Sequence, residues 1–259
     1  MNGKPVLWDE LSWQDVAALR DGGIDMVILP VGATEQHGLH LPTGVDTISA
    51  RAVAEGVSAR TGVPVLPELP YGCSLGHSTK WPGTLSLRPD TLARIVHELG
   101  QQVLASGFRR MLLLNGHVTN WAPLRCGLET IRADLPEMRV ALRSVWELSK
   151  EVHEWYHRDG GQNWHANDAE TSVMLSLRPD LVKMERAVDE PDRSTCCFFS
   201  YTVNKESLYG GVGKPTQATA DLGRRILESC VSALSEQLVQ ALKERTPLED
   251  WIDAPPQIN

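Results

Sequence analysis

A carboxylate and an imidazole stand close together in a glycine-flanked segment near the start of the chain. Glu35 and His37 are followed by Asp46, and this mixture of oxygen and nitrogen donors suits borderline divalent ions such as zinc and manganese. The apolar run over residues 26–31 is predicted to be a buried strand that anchors the loop. The segment predicts part of a metal site, although a surface loop with an ion pair would have the same residue types.

Two further polar clusters lie later in the chain. His117 follows a second apolar strand, and Gly116 permits the tight turn that would aim the imidazole over the sheet. A histidine that caps a helix start is the alternative. His165 and Glu170 form the third cluster, which by itself is equally typical of a polar loop and a carboxylate in the first turn of a helix.

Short apolar runs alternate with segments of helical periodicity along the chain. Strands are predicted near 26–31, 63–67, 109–115 and 139–145, and helices near 46–61, 90–106, 122–133 and 168–178. The final helix has the clearest apolar stripe: Leu222, Ile226, Cys230, Leu234, Leu238 and Leu242. Residues 185–217 show no helical pattern. The alternation predicts an α/β fold with a mostly parallel sheet covered on both faces, and a site beyond the carboxyl ends of the strands.

Composition and charge narrow the class of partner. A chain of 259 residues is expected to form one domain over 1–259, with a mobile or surface-draped tail from about 246. The net charge of −8 opposes binding to nucleic acid or to an anionic membrane, so a small-molecule substrate is expected. No apolar run reaches the roughly 18 residues of a membrane span, and the N-terminus lacks a secretion signal, which favours the cytoplasm. The five cysteines show neither a disulfide framework nor zinc-finger spacing.

Four ordered motifs resemble the creatininase family over nearly the whole chain. They are residues 32–42 with Asp46, residues 71–77 with 81–85, residues 115–117, and residues 170–175. A late stretch, 211–219, resembles the closing loop of the family, with Lys214 where an acidic residue is expected. The resemblance implies a three-layer αβα sandwich and a homo-oligomer, commonly a hexamer. It also implies a pair of divalent metal ions, Zn and/or Mn, with Fe and Mg as alternatives.

The resemblance also assigns roles to individual residues. His165 matches the catalytic histidine, and the implied metal ligands are Glu35, His37, Asp46 as the bridge, and His117. Creatininase itself carries a metal-binding glutamate where this chain has Thr119, and its substrate-lining tryptophan lies further from the catalytic histidine than Trp164 does. These departures argue against creatinine as the substrate.

Because Thr119 is a poor ligand for a divalent cation, another carboxylate must complete the second metal site. Glu170 is the candidate, since one helical turn can place it and His165 towards the same cavity; Asp168 is the nearest rival, or else the N-cap of the helix. The predicted pocket lining comprises His77, Trp81, Trp164 and Thr119. A capped loop with a core tryptophan would account equally well for the first two.

Three functions fit these residues. The leading hypothesis is hydrolysis of a cyclic amide, lactam or formamide by a hydroxide held between two metals, with His165 delivering a proton to the departing nitrogen. The second is a metal-dependent isomerase or C–C hydrolase that acts on a polyol or keto sugar. The third is a metal-binding accessory protein of a biosynthetic pathway that has no turnover of its own.

Overall fold

Three parallel strands form the sheet at the centre of the molecule. In a computed structural model that describes residues 3–158 and 163–249, the strands are β1 (Met26–Val31), β2 (Arg110–Asn115) and β3 (Arg139–Ser144), in the order β1-β2-β3. Val31 lies opposite Asn115, which lies opposite Ser144. The three carboxyl ends are therefore level, and the loops that leave them meet along one edge of the sheet.

The helices agree closely with the periodicity of the sequence. They are α1 (Trp13–Asp21), α2 (Val45–Thr61), α3 (Pro89–Ala105), α4 (Trp121–Asp134), α5 (Lys150–Tyr156), α6 (Asp168–Leu177), α7 (Val203–Glu206) and α8 (Ala220–Ala241). The prediction of no helix over 185–217 is wrong at α7, a single turn too short to show periodicity, and at short 3₁₀ turns. None of the described helices is both long and apolar enough to cross a membrane. Of the predicted mobile tail, residues 250–259 lie outside the described residues.

Alternate side chains of the strands pack on opposite faces of the sheet, as strand geometry requires. On β1, Ile28 packs into a core formed with α2, α5, α6 and α8, whereas Val27 and Leu29 pack into a second core with α3 and α4. β1 and β2 are buried on both faces, which explains their continuous apolar sequences. The three-layer αβα arrangement is confirmed.

The strand expected over residues 63–67 is not a regular strand. Val65 makes isolated parallel bridges to Ile28 and to Leu7, so this segment extends the sheet beside β1 without forming a ladder. Pro64 and Pro67 carry no N–H and cannot donate to a neighbouring strand, which is the physical reason for the interruption.

Helix α6 is held against the C-terminal helix by direct backbone contact. A Cβ atom built on Gly223 of α8 would lie 1.9 Å from the carbonyl oxygen of Ser172. In addition, the hydroxyl of Ser172 accepts a hydrogen bond from the backbone N–H of Thr219, the residue before α8. This contact fixes where the first turn of α6 presents its side chains.

Candidate metal centre

The polar residues after β1 and β2 meet at the edge of the sheet. Glu35 and His37 lie in the loop that follows β1, Asp46 lies in the first turn of α2, and His117 follows β2. All four side chains are at least nine-tenths buried. Gly116 allows the two segments to approach, because a Cβ atom there would lie 2.2 Å from the carbonyl oxygen of Asp46.

Glu35, Asp46 and His117 form one group of donor atoms that could hold a metal ion. The Nδ1 atom of His117 lies 3.2 Å from Oδ2 of Asp46, and one donor atom from each of the three residues lies within 4.8 Å of the other two. Ligands bound to one zinc ion at about 2.1 Å lie roughly 3.4 Å apart in tetrahedral geometry. The spacing of this group suits a single ion.

A second group lies on the other side of Asp46. The Nε2 atom of His37 is 3.2 Å from Oδ1 of Asp46 and 3.6 Å from Oε1 of Glu170, and His37, His165 and Glu170 are close enough to hold an ion. Asp46 therefore directs one carboxylate oxygen towards each group. Glu170 reaches this position from the first turn of α6, while its Oε2 atom accepts a hydrogen bond from the N–H of Ala166.

Hydrogen bonds around His37 and His117, the two candidate histidine ligands, leave one nitrogen of each available to a metal. Nδ1 of His37 lies 3.1 Å from the carbonyl oxygen of Glu35, and Nε2 of His117 lies 3.2 Å from that of Cys73. Donation to these carbonyls leaves the opposite ring nitrogen with its lone pair, which is the usual support for a histidine ligand.

Several buried atoms of the site have no hydrogen-bond partner within residues 3–158 and 163–249. They are both carboxylate oxygens of Glu35, Nε2 of His37 and Oδ2 of Asp46. A buried polar atom without a partner costs about 1–3 kcal/mol, and more when it is charged. Oε2 of Glu35, Nε2 of His37 and Oδ2 of Asp46 face the two groups of donor atoms, while Oε1 of Glu35 lies beside His77 and His165. The residues therefore fit a divalent-metal site.

The acid–base properties of the site follow from burial and from charges in contact. Burial raises the pKa of Glu35 to about 7, against the opposing effect of the neighbouring imidazoles. Burial also opposes ionisation of Asp46, but His37 and His117 hold its pKa below the usual value. Burial alone would lower the pKa of His117, yet the carboxylates of Glu35 and Asp46 raise it to about 9. Without a metal the imidazoles keep protons that a divalent cation would displace.

His165 lies beside both groups of donor atoms, with its Nε2 atom turned towards a backbone carbonyl. Its Nε2 atom lies 2.8 Å from the carbonyl oxygen of Gln36 and 3.4 Å from Oε1 of Glu35. Burial, together with His37 and His77, holds the pKa of His165 well below the usual value. The ring is therefore neutral at pH 7, and donation to Gln36 places its one proton on Nε2.

A third set of possible ligands is Glu35, His77 and His165. The side-chain Nε2 atom of Gln36 lies 3.1 Å from Nδ1 of His77 and 3.2 Å from Nε2 of His165. An amide N–H group directed between these nitrogens opposes a cation there. Cation binding is therefore favoured at the two groups that share Asp46.

A cavity of about 230 Å³ lies next to the two groups of donor atoms. Three of the four predicted pocket residues, His77, Trp164 and Thr119, line it, as does His165. Trp81 is not among the lining residues; its ring lies beneath the ammonium group of Lys80. The hydroxyl of Thr119 contacts His117 and the carbonyl of Cys73, so it lies beside the ligands.

The structure does not support the helix-capping roles considered for His117 and Asp168. His117 precedes a 3₁₀ turn but its side chain caps no helix. The prediction of Asp168 as the N-cap of α6 is wrong, because Asn167 accepts the hydrogen bond from the N–H of Glu170. Asp168 instead pairs with Arg158.

Sequence reasoning missed several residues that complete the site. Gln36 contacts both His77 and His165, and Ser74 lies 3.0 Å from Nε2 of His117. Tyr201 and Glu206 line the cavity from a segment far along the chain. The position of Gln36 between Glu35 and His37 could have identified it. Nothing in the local sequence identifies Ser74, Tyr201 or Glu206.

The family of the chain is decided by comparison with known proteins. A family model described as creatininase, creatinine amidohydrolase, matches residues 9–238. The chain belongs to the creatininase family. Members of this family are metal-dependent amidohydrolases, and this chain is an enzyme of that type.

Curated relatives of this creatininase-family chain carry different names. It is 32% identical to the creatinine amidohydrolase of Pseudomonas putida, over 94% of this chain and 98% of that protein. It is 31% identical to the mycofactocin precursor peptide peptidase of Mycolicibacterium smegmatis, over 87% and 89%. Its identity to the 3-dehydro-scyllo-inosose hydrolase of Thermotoga maritima is 28%, over 86% and 79%.

Solved structures of creatininase share the fold. One, described as creatinine amidohydrolase (creatininase), superposes with a TM-score of 0.85 at 32% identity and covers 94% of this chain and 100% of that one. Another, described as creatininase Mn, has a TM-score of 0.81 at 31% identity over 93% and 100%. A mutant creatininase described as Zn-Zn type has a TM-score of 0.84 at 30% identity over 93% and 100%.

Proposed function

We propose that this enzyme hydrolyses a C–N bond of a cyclic amide, lactam or formamide at a pair of divalent metal ions. The observation that carries the proposal is the position of Asp46, which directs one oxygen to each of two buried groups of donor atoms. Glu35 and His117 complete one site, and His37 and Glu170 complete the other. Zinc and manganese are the proposed ions, because solved creatininases are described with those metals.

The ions, when bound, supply the Lewis acidity that polarises the substrate carbonyl and activates water at neutral pH. His165 holds a proton at Nε2 on the wall of the cavity and is the group proposed to deliver it to the departing nitrogen. Trp164, Thr119 and His77 line the same cavity and are proposed to exclude water and orient the amide.

The test is a substrate screen with metal-free and metal-loaded enzyme. After chelation, the protein is reloaded with zinc or with manganese, its metal content is measured, and lactams, cyclic ureas, formamides and short peptides are supplied. Mass spectrometry should find a product that has gained one water molecule, only with the loaded enzyme. The Asp46→Ala variant is the matched control. Absence of metal-dependent turnover across the panel would refute the proposal.

A second activity is supported by the relative named 3-dehydro-scyllo-inosose hydrolase. C–C bond cleavage or isomerisation of a polyol or keto sugar would use the same ions to stabilise an enediolate. The same screen with keto sugars separates these outcomes, because isomerisation leaves the mass of the substrate unchanged.

We also propose that the protein is a homo-oligomer, with a hexamer as the expected form. Val118 and Trp121 directly follow the ligand His117, yet they are 47% and 50% exposed. Exposed apolar side chains that cluster at one place mark contact surfaces. Light scattering would show a monomer if this is wrong.

A further inference from the structure

Glu190 is a buried carboxylate that the proposed mechanism does not use. It is only 4% exposed, and it lies on a loop outside the metal centre. Its Oε1 atom accepts hydrogen bonds of 2.9 Å from the N–H of Leu208 and from Arg193, while its Oε2 atom accepts from the N–H of Tyr209 and the hydroxyl of Ser207. Both oxygens are therefore engaged, and three of the four donors belong to residues 207–209.

The turn that Glu190 holds contacts the residue between two of the proposed metal ligands. The hydroxyl of Ser207 accepts the N–H of Gly210 at 2.7 Å, and the carbonyl of Gly210 accepts Nε2 of Gln36 at 2.9 Å. Gly210 has a φ of +89°, and a Cβ atom there would lie 2.1 Å from Oε1 of Gln36. A side chain at residue 210 would therefore displace the side-chain amide of Gln36.

The continuation of the same turn holds the backbone of the catalytic histidine. His165 and Val212 exchange two backbone hydrogen bonds of 2.9 and 2.7 Å, and Glu190 and Gly213 exchange two more of 3.0 and 2.7 Å. The strand-like segment after the turn therefore lies between Glu190 and His165. The carboxylate of Glu190 holds the turn at residues 207–209 that leads into this segment, and the segment pairs with the backbone of His165.

Gln36 is the point at which this network reaches the reacting groups. Its Oε1 atom accepts the N–H of Gly38 at 3.0 Å, so its amide nitrogen must face the carbonyl of Gly210 and Nδ1 of His77. The backbone oxygen of the same Gln36 accepts the proton of His165. The amide nitrogen also lies 3.2 Å from Nε2 of His165. Its two protons are taken by Gly210 and His77, so Nε2 of His165 is left to donate to the backbone oxygen.

We infer that Glu190 is a positioning residue, which acts through the 207–213 segment and Gln36 to hold the imidazole of His165 with Nε2 against the backbone oxygen of Gln36. The inference rests on the proposed function only for the catalytic role of His165. Replacement of Glu190 by glutamine keeps the shape but turns one oxygen into an N–H donor. The new NH₂ group then faces other donors, either those of Leu208 and Arg193 or those of Ser207 and Tyr209. Two donors cannot form a hydrogen bond with each other, so the turn must shift.

The experiment compares Glu190→Gln with Asp189→Asn in the zinc-loaded enzyme. Asp189 is the adjacent carboxylate and also binds a loop, since it accepts hydrogen bonds from Thr216, but that loop does not contact Gln36. Two-bond ¹H–¹⁵N spectra of ¹⁵N-histidine-labelled protein resolve which nitrogen of each of the eight histidines is protonated. The His165→Gln variant identifies the signal of His165. Zinc content and melting temperature are measured on the same samples.

We expect the His165 signal to change from protonated Nε2 to a mixture of tautomers in Glu190→Gln and to stay unchanged in Asp189→Asn, with equal zinc content in both. On an amide that the parent hydrolyses, kcat should fall 10–100-fold in Glu190→Gln with little change in KM. Ser207→Ala should reproduce part of this loss in kcat. The double variant should lose little more than Glu190→Gln alone, because both residues act through the same hydrogen bonds.

An unchanged His165 signal in Glu190→Gln would overturn the inference. Should that variant fail to fold, Ser207→Ala gives the same decision, since it leaves the carboxylate in place and removes the link to Gly210. If the parent turns over no amide, the proposed function fails, but the spectra still decide whether Glu190 positions His165.

Discussion

Replacement of Glu170 by glutamine tests the ligand that stands in for the carboxylate missing at Thr119. The amide oxygen of glutamine can keep the hydrogen bond from the N–H of Ala166, which leaves the NH₂ group facing His37, where Oε1 now lies 3.6 Å from Nε2. An amide donor cannot bind a cation. Glu170→Gln should therefore lose one of two metal equivalents, the one shared by His37 and Asp46.

The size of the effect follows from linkage. At a zinc concentration of about 100 times Kd, one bound ion stabilises the fold by about 2.7 kcal/mol. A chain of 259 residues unfolds with an entropy of about 0.5 kcal/mol/K. Zinc should therefore raise the melting temperature of Glu170→Gln by about 5 °C less than it raises that of the parent.

The assay is elemental analysis after gel filtration in metal-limited buffer, followed by thermal melts with zinc and with chelator. Thr119→Ala and Asp168→Asn are matched controls that should keep both equivalents. Thr119 contacts Nε2 of His117, whereas Nδ1 faces Asp46, and Asp168 pairs with Arg158. Two full equivalents in Glu170→Gln, with a zinc-dependent shift equal to that of the parent, would refute the assignment.

Four further results are expected. Asp46→Ala should lose both ions and all activity while its circular dichroism stays that of the parent, because its oxygens face both groups. His165→Ala should retain both ions and lose about 10²–10⁴ in rate; loss of metal would make His165 a ligand. Gly223→Ala should destabilise the fold by about 1–3 kcal/mol in denaturant titrations, since its Cβ atom would overlap the carbonyl of Ser172. Burial opposes ionisation of Glu190, but its hydrogen bonds hold its pKa below the usual value. The ionised carboxylate therefore stabilises the fold above the usual pKa, and this stabilisation is lost as the pH falls through the lowered value. Melts of Glu190→Gln should show a weaker dependence on pH below about 4.

The sequence predicted the elements whose patterns are local. β1, β2 and the long helix α8 have apolar runs or stripes that only one packing arrangement satisfies, and the structure has them within about two residues of the expected bounds. Residues 63–67 look like a strand because their side chains suit one, but backbone N–H groups decide pairing and two prolines lack them. The pattern of apolar side chains does not show that these two backbone N–H donors are missing.

The candidate site was predictable to the extent that its residues follow strands. Glu35, His37 and His117 are placed by the ends of β1 and β2, which parallel pairing brings together. Gln36 escaped notice because an amide is neither a metal ligand nor an acid, and its importance lies in contacts to residues 77, 165 and 210. Contacts between residues so far apart in the sequence depend on how the loops fold back over the sheet, and no local sequence pattern predicts this.

The proposed metal ligands and part of the cavity lining come from different parts of the chain. Glu35, His37 and His117 lie on the loops after β1 and β2, and Asp46 and Glu170 lie in the first turns of α2 and α6. Tyr201 and Glu206 reach the cavity from a separate segment that contributes no proposed ligand. Such a division lets selection alter what enters the cavity while the ligand geometry stays intact. It offers a structural route by which relatives at 28–32% identity have come to bear the names of a creatinine amidohydrolase, a peptidase and an inosose hydrolase. Exchange of residues 198–206 between family members, which leaves the turn at 207–209 in place, is accordingly a direct test of what this segment contributes to substrate choice.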